Sequence, residues 1–311
     1  MANTTAQRKR RFSLRRYIPL YIMMLPGLAY LIINNYLPLF GLSIAFKDIN
    51  YAKGIWNSDW VGFKNFEYLF KTTDAYIITR NTLLYNAVFI VLGLAIAIVI
   101  AILLNEIRSR VARSFYQSVI LLPFLISMIL VSYLVYALLS VDSGFMNKTI
   151  LPMLGLDPVT WYLEPKYWPY ILTIVHIWKG AGYSCIVFLA AIISIDKEYY
   201  EAAELDGASK WMQIRKITLP MITPIISMLA LLAIGRIFYS DFGLFYQVPM
   251  NSGALYETTN VIDTYVFRGL MQLGDVGMSS AAGFYQSLVG FVLVLVSNYI
   301  VRKFDKDNAL F

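Results

Sequence analysis

The stretch DKEYYEAAELDGASKWMQIRKITLP, residues 196–220, is mixed in charge and lies between two long apolar runs. Glu198 to Leu205 is rich in Ala and Glu, which form helix readily, and Gly207 can take the positive φ that stops it. Pro220 marks the entry into the apolar run that follows, because proline fits a helix start and not its interior. Two short helices are therefore expected here, in a loop longer than a simple turn. The small side chains of Ala202 and Ala203 leave the first helix's backbone open to close approach by another surface.

The flanking runs, Trp168 to Ile193 and Met221 to Tyr246, set the solvent. A span of roughly 20 apolar residues crosses the hydrocarbon of a bilayer as a helix, since only then is every backbone N–H and C=O paired internally. Four further runs of this kind occur, about Tyr17 to Phe46, Asn81 to Leu104, Tyr116 to Leu139 and Gly277 to Val301. The composition agrees: the 311 residues are 59% hydrophobic and 14% charged, against about a quarter charged in soluble domains. An all-α membrane protein of about six transmembrane helices follows. The first run is overlong and holds Pro26, Pro38 and the Asn34–Asn35 pair, so a kink or an interfacial opening segment is expected in it. Pro123 is read as a structural kink in the third.

The net charge of +7 reads as topology and not as a nucleic-acid surface, because the basic residues cluster beside the apolar runs. Residues 1–16 carry Arg8, Lys9, Arg10, Arg11, Arg15 and Arg16 and form a basic tail; no small-residue cleavage site follows, so the first helix is read as retained. Residues 17–311 make one permeation domain. With both ends in the cytoplasm, Lys and Arg favour the inner loops two to one. Trp56, Trp60, Trp161 and Trp168 then fall at the outer interface, where amphipathic rings are at home. In this orientation residues 196–220 are cytoplasmic, and residues 141–167 and 247–276 form an outer surface.

The loop also carries a spaced signature: Glu201-Ala202-Ala203, three residues, Gly207, nine residues, Ile217, one residue, Leu219-Pro220. This resembles the signature loop of permease subunits of binding-protein-dependent ABC importers. The resemblance implies that the first short helix is a coupling helix docking into a groove of a separate ATPase. Glu201, Ala202, Ala203, Asp206 and Gly207 are then its contact residues. Further stretches resemble the carbohydrate type of that family, which includes maltose permeases: Leu25-Pro26, Tyr36 to Leu39, Ser43 to Phe46, Val61 to Phe66, Asn81 to Leu83, Leu205 to Ala208, Leu273 to Gly277 and Ser279 to Ala282. The Tyr-rich spans and basic tail look most like permeases for oligosaccharides or polysaccharide fragments in Gram-positive bacteria.

What the resemblance implies is a type I ABC importer permease fold in the bacterial cell membrane, working by alternating access. It implies four partners: a second homologous permease subunit, an ATP-binding cassette dimer, an extracellular solute-binding lipoprotein and a carbohydrate. The chain itself would bind no cofactor, ATP and Mg being held by the ATPase. In keeping with this, the sequence has no G-x-x-x-x-G-K-[ST] phosphate loop, no G-x-S-x-G and no H-E-x-x-H. One cysteine and one histidine exclude an intrachain disulfide and leave no support for a metal site.

Ionisable groups inside a span cost about 2.5–3.5 kcal/mol on insertion scales, so they face a cavity or a partner. His176, Lys179 and Tyr183 share one face of the fourth span, and Arg236, Tyr239 and Ser240 share one in the fifth, with Phe242 just beyond. These seven are the candidate pathway residues, since sugars are held by aromatic faces and hydrogen-bonding side chains. The plainer alternative is that Lys179 and Arg236 tie the bundle together and that His176 only packs. An ABC permease for a non-sugar solute fits the same loop. An ion-driven secondary transporter predicts acidic residues in broken spans and an internal repeat, and here Asp241 is the single carboxylate in the candidate spans.

Overall fold

The computed structural model describes residues 14–304; the basic tail is outside the described residues except where the first helix begins. That helix, α1 (Leu14–Leu31), continues as a π turn (Ile32–Tyr36) and a 3-10 segment (Leu37–Phe46). A two-stranded antiparallel ribbon follows, β1 (Lys47–Asp48) with β2 (Asp59–Trp60), enclosing α2 (Gly54–Asn57) and pairing Lys47 with Trp60. Then come α3 (Lys64–Lys71), α4 (Asp74–Glu106), α5 (Arg110–Leu125), α6 (Met128–Leu139), α7 (Leu151–Met153) and α8 (Trp168–Ile193). After α9 (Lys197–Leu205) and α10 (Lys210–Gln213), a π turn (Ile214–Thr218) leads into α11 (Leu219–Ile234). The chain closes with α12 (Phe242–Gln247), α13 (Tyr256–Thr259), α14 (Ile262–Met271) and α15 (Val276–Phe304).

Among the described residues five helices are long and apolar enough to cross a membrane, or six passages if α5 and α6, bent by 95°, are one broken span. The fourth span has the expected limits. The first stays helical from Tyr17 to Phe46, and the irregularity expected around Asn34 and Pro38 takes the form of a change in helix gauge. No residue in its most apolar window is buried. The third and fifth spans correct the sequence reading. Neither Tyr116 to Leu139 nor Met221 to Tyr246 is one continuous helix: the first breaks after Leu125, and the second between Ile234 and Phe242.

The break after Leu125 has a local cause. Pro123, in the last turn of α5, has no N–H to give, and Ser127 starts α6 by accepting from the N–H of Leu130 at 3.4 Å. The carbonyls freed at the corner are met by Lys179 from α8, whose Nζ donates to Pro123 O at 3.3 Å, Phe124 O at 3.1 Å and Ile126 O at 2.5 Å. Irregular backbone persists at membrane depth only where protein satisfies it in this way.

The core lies mainly between α4 and α8. Tyr85 and Phe89 pack with Trp168 and Leu172 at one end, and Ala97 and Ala101 with Cys185, Phe188 and Leu189 at the other. Small residues bring membrane helices close. Gly182 is the tightest case: a Cβ there would lie 2.0 Å from the carbonyl oxygen of Ile120, so α5 crosses α8 at a point that admits no side chain. A separate cluster of Leu69, Ile78, Phe238, Ile262 and Met278 seats α14 against α15 and α4.

Candidate coupling surface and translocation pocket

Asp196 caps α9, accepting from the N–H of Glu198 at 3.1 Å. At the other end the N–H of Ala208 bonds Ala203 O at 2.8 Å and that of Gly207 bonds Glu204 O at 3.0 Å, with Gly207 at φ +78°. This pairing is a Schellman stop, and it explains why glycine stands there. Ser209 then caps α10 through Met212 N at 3.3 Å. The knuckle is braced from within: Lys210 Nζ pairs with Glu204 at 2.7 Å, and the Tyr200 and Thr218 hydroxyls lie 2.9 Å apart. The Lys210 ammonium holds the Glu204 carboxyl below its ordinary range.

The other face of the knuckle is open. Glu201, Ala202, Asp206 and Gly207 are exposed and Ala203 is half-buried. Leu205 is 90% exposed and Trp211 71%, apolar side chains left bare by the described residues. Behind them a cavity of 320 Å³ opens between the knuckle and the α4–α5 elbow, with Tyr200, Lys210 and Arg113 among its walls. Arg113 locks that elbow, donating to Asn105 O at 3.1 Å and Ile107 O at 2.8 Å. α9 is joined to α11 through α10 and the π turn.

A pocket of 540 Å³ lies where α4, α8 and the broken fifth span meet, within the about 300–1,000 Å³ range of ligand sites. Of the seven candidate pathway residues, His176, Arg236, Tyr239 and Ser240 line it. His176 stacks on Phe89 with ring centroids 3.8 Å apart and an interplanar angle of 7°. Lys179, Tyr183 and Phe242 are not in its lining. Lys179 is engaged at the α5–α6 corner, Tyr183 stacks on Phe124 at 4.8 Å, and Phe242 packs with Tyr246 at 4.9 Å and Phe267 at 4.7 Å. The shared face in α8 is real, but the long Lys179 side chain reaches a neighbouring helix instead of the pocket.

The residues that shape the pocket include three that sequence reasoning passed over. Asn86 in α4 donates to Ile237 O at 2.9 Å and Tyr239 O at 3.1 Å. Gln286 in α15 donates to Phe238 O at 3.0 Å, and Asp263 in α14 accepts from Ser240 N at 2.8 Å and from Gln286 at 3.1 Å. Together they satisfy the backbone that leaves the helix between Ile234 and Phe242, while Asp241 caps α12 by accepting from Leu244 N at 3.1 Å. Burial pushes the Asp263 carboxyl up against the opposing pull of those hydrogen bonds. An uncharged amide inside an apolar run is itself a signal, because it too must find a partner; a search restricted to ionisable groups misses Asn86 and Gln286.

Known proteins share this architecture. Residues 90–306 match the family described as binding-protein-dependent transport system inner membrane component. The polygalacturonan/rhamnogalacturonan transport system permease protein YteP of Bacillus subtilis (strain 168) is 34% identical over 289 residues, covering 93% of this chain and 89% of the relative. A chain from the crystal structure of a bacterial ABC transporter involved in import of the acidic polysaccharide alginate superposes with a TM-score of 0.85 at 34% identity, covering 94% of this chain and 98% of the other. The same kind of transporter, in complex with an alginate pentasaccharide-bound periplasmic protein, gives a TM-score of 0.84 at 33% identity, with 94% and 97% covered. With its membrane-spanning helices, its open knuckle and these matches over most of its length, the chain belongs to the inner-membrane permease components of binding-protein-dependent ABC importers.

Proposed function

We propose that this chain is one permease subunit of a carbohydrate importer, pairing with a second homologous permease to enclose the pathway. A solute-binding lipoprotein delivers oligosaccharide or polysaccharide fragments outside, and an ATPase dimer binds and hydrolyses ATP with Mg inside. The permease binds no cofactor and catalyses no reaction. Both chain ends and α9 are cytoplasmic in this reading, which rests on the two-to-one bias of Lys and Arg.

The observation that carries the proposal is the exposed α9, with Glu201, Ala202, Asp206 and Gly207 on its open side and its braced side joined to the span that forms the pocket wall. Closure of the ATPases pushes α9, α11 carries the movement, and the pocket opens to alternate sides. The relatives transport polygalacturonan/rhamnogalacturonan and alginate, which supports a carbohydrate cargo. In proteoliposomes holding the whole importer, Glu201→Lys and Gly207→Asp are expected to separate ATP hydrolysis from sugar uptake. Normal substrate-stimulated hydrolysis and uptake in both variants would overturn the docking assignment.

A further inference from the structure

Arg236 is the one Lys or Arg in the lining of the 540 Å³ pocket, and it is exposed there. Among the described residues its guanidinium has no hydrogen bond and no ion pair. Asp241, in the same lining, caps α12 through one oxygen, Oδ1, which accepts from Leu244 N at 3.1 Å, and it makes no ion pair with Arg236. Lys179, inside the fourth span, differs: it is saturated by three carbonyls at the α5–α6 corner. A cation beside a membrane span faces a partner or a cavity, and Arg236, just past the end of α11, faces a cavity.

The pocket's other groups suit a sugar ring. Phe89, 6% exposed, backs the His176 ring by stacking on it, Tyr239 stands 44% exposed, and Asn86 lies beside it, holding the backbone that carries Arg236 and Tyr239 in place. A planar guanidinium pairs with a carboxylate through two parallel hydrogen bonds, which a neutral hydroxyl cannot reproduce.

The geometry points to Arg236 as the residue that recognises a carboxylate on the cargo, so that this permease takes hexuronate-containing, acidic oligosaccharides in preference to neutral ones. This rests on the carbohydrate reading above and sharpens it. The import of alginate by the similar transporter, itself an acidic polysaccharide, is consistent with that chemistry.

The test uses the purified permease–ATPase complex without binding protein, so that delivery does not select the sugar. Binding of trigalacturonate and trimannuronate is compared with binding of their carboxyl-reduced neutral counterparts by calorimetry. The wild-type complex should bind the acidic trimers about tenfold or more tightly, with a preference that shrinks as salt is raised. Arg236→Gln should lower affinity for the acidic trimers alone and erase the preference, and Arg236→Lys should keep part of it. Equal affinities in the wild type overturn the inference and leave the carbohydrate reading standing. So does Arg236→Gln weakening both sugar types alike, the behaviour of a residue that only ties subunits together. Binding of none of the four sugars, with no oligosaccharide uptake by the full importer, overturns both readings.

Discussion

Replacing Lys179 by methionine separates a structural role from a pathway role. The side chains are similar in length, but methionine donates no hydrogen bond, so the three carbonyls at the α5–α6 corner lose the donor that Nζ supplies at 3.3, 3.1 and 2.5 Å. Pro123 O keeps the N–H of Ile126 at 3.3 Å, which leaves Phe124 O and Ile126 O most affected. Interhelical hydrogen bonds in membrane proteins average about 0.6 kcal/mol by double-mutant cycles, so three of them amount to about 2 kcal/mol. Lys179→Met should therefore lower the stability of the detergent-solubilised complex by about 2 kcal/mol in graded SDS unfolding, and Lys179→Arg should recover much of it. A variant of wild-type stability that has lost sugar uptake would refute this reasoning and return Lys179 to the pathway.

Three further outcomes follow from the same contacts. Gly207→Ala meets no atom within 4 Å but forces an L-residue to φ +78°, at about 1–2 kcal/mol; α9 should fray, and substrate-stimulated ATPase activity should fall while the complex still assembles. Gly182→Val puts side-chain carbon into the carbonyl of Ile120, 2.0 Å from the Cβ position, so size-exclusion chromatography should show little assembled complex. Burial raises Asp263, so its contribution to stability is fully present below its unfolded value of 3.8 and is lost as pH rises through the higher folded value. Asp263→Asn, which keeps an acceptor for Ser240 and Gln286, should remove that part of the pH dependence of thermal stability, and an unchanged profile would contradict the assignment.

The long helices are legible in the sequence wherever one physical rule acts alone. Trp168 to Ile193 is an uninterrupted apolar run, and hydropathy places both of its ends. Gly207 is likewise readable, because a stop at positive φ is a local demand. The two broken spans are not placed by hydropathy alone: Leu125, Ile126 and Met128 are as apolar as their neighbours, so Pro123 is the local sign of the first break, as Gly235, Arg236, Ser240 and Asp241 are of the second. The groups that satisfy the backbone opened by those breaks are distant in sequence, namely Lys179 for the first and Asn86, Asp263 and Gln286 for the second. Four of the seven candidate pathway residues meet at one pocket, His176 from α8 and Arg236, Tyr239 and Ser240 from the stretch that leaves the helix after Ile234, so the shared helical face expected in the fifth span is replaced by a break that still turns these residues to the pocket. Lys179 departs because its length lets it answer a demand on another helix.

A cysteine at Ala202, on the open side of α9, tests the side of the membrane on which the knuckle lies and what docks there. The single native cysteine, Cys185, is buried, so a membrane-impermeant maleimide reports on the new site alone. Labelling of Ala202→Cys is expected only from the cytoplasmic face, with protection from the label when the ATPase is bound. Labelling from the outer face, or labelling that the ATPase leaves unchanged, would contradict that expectation.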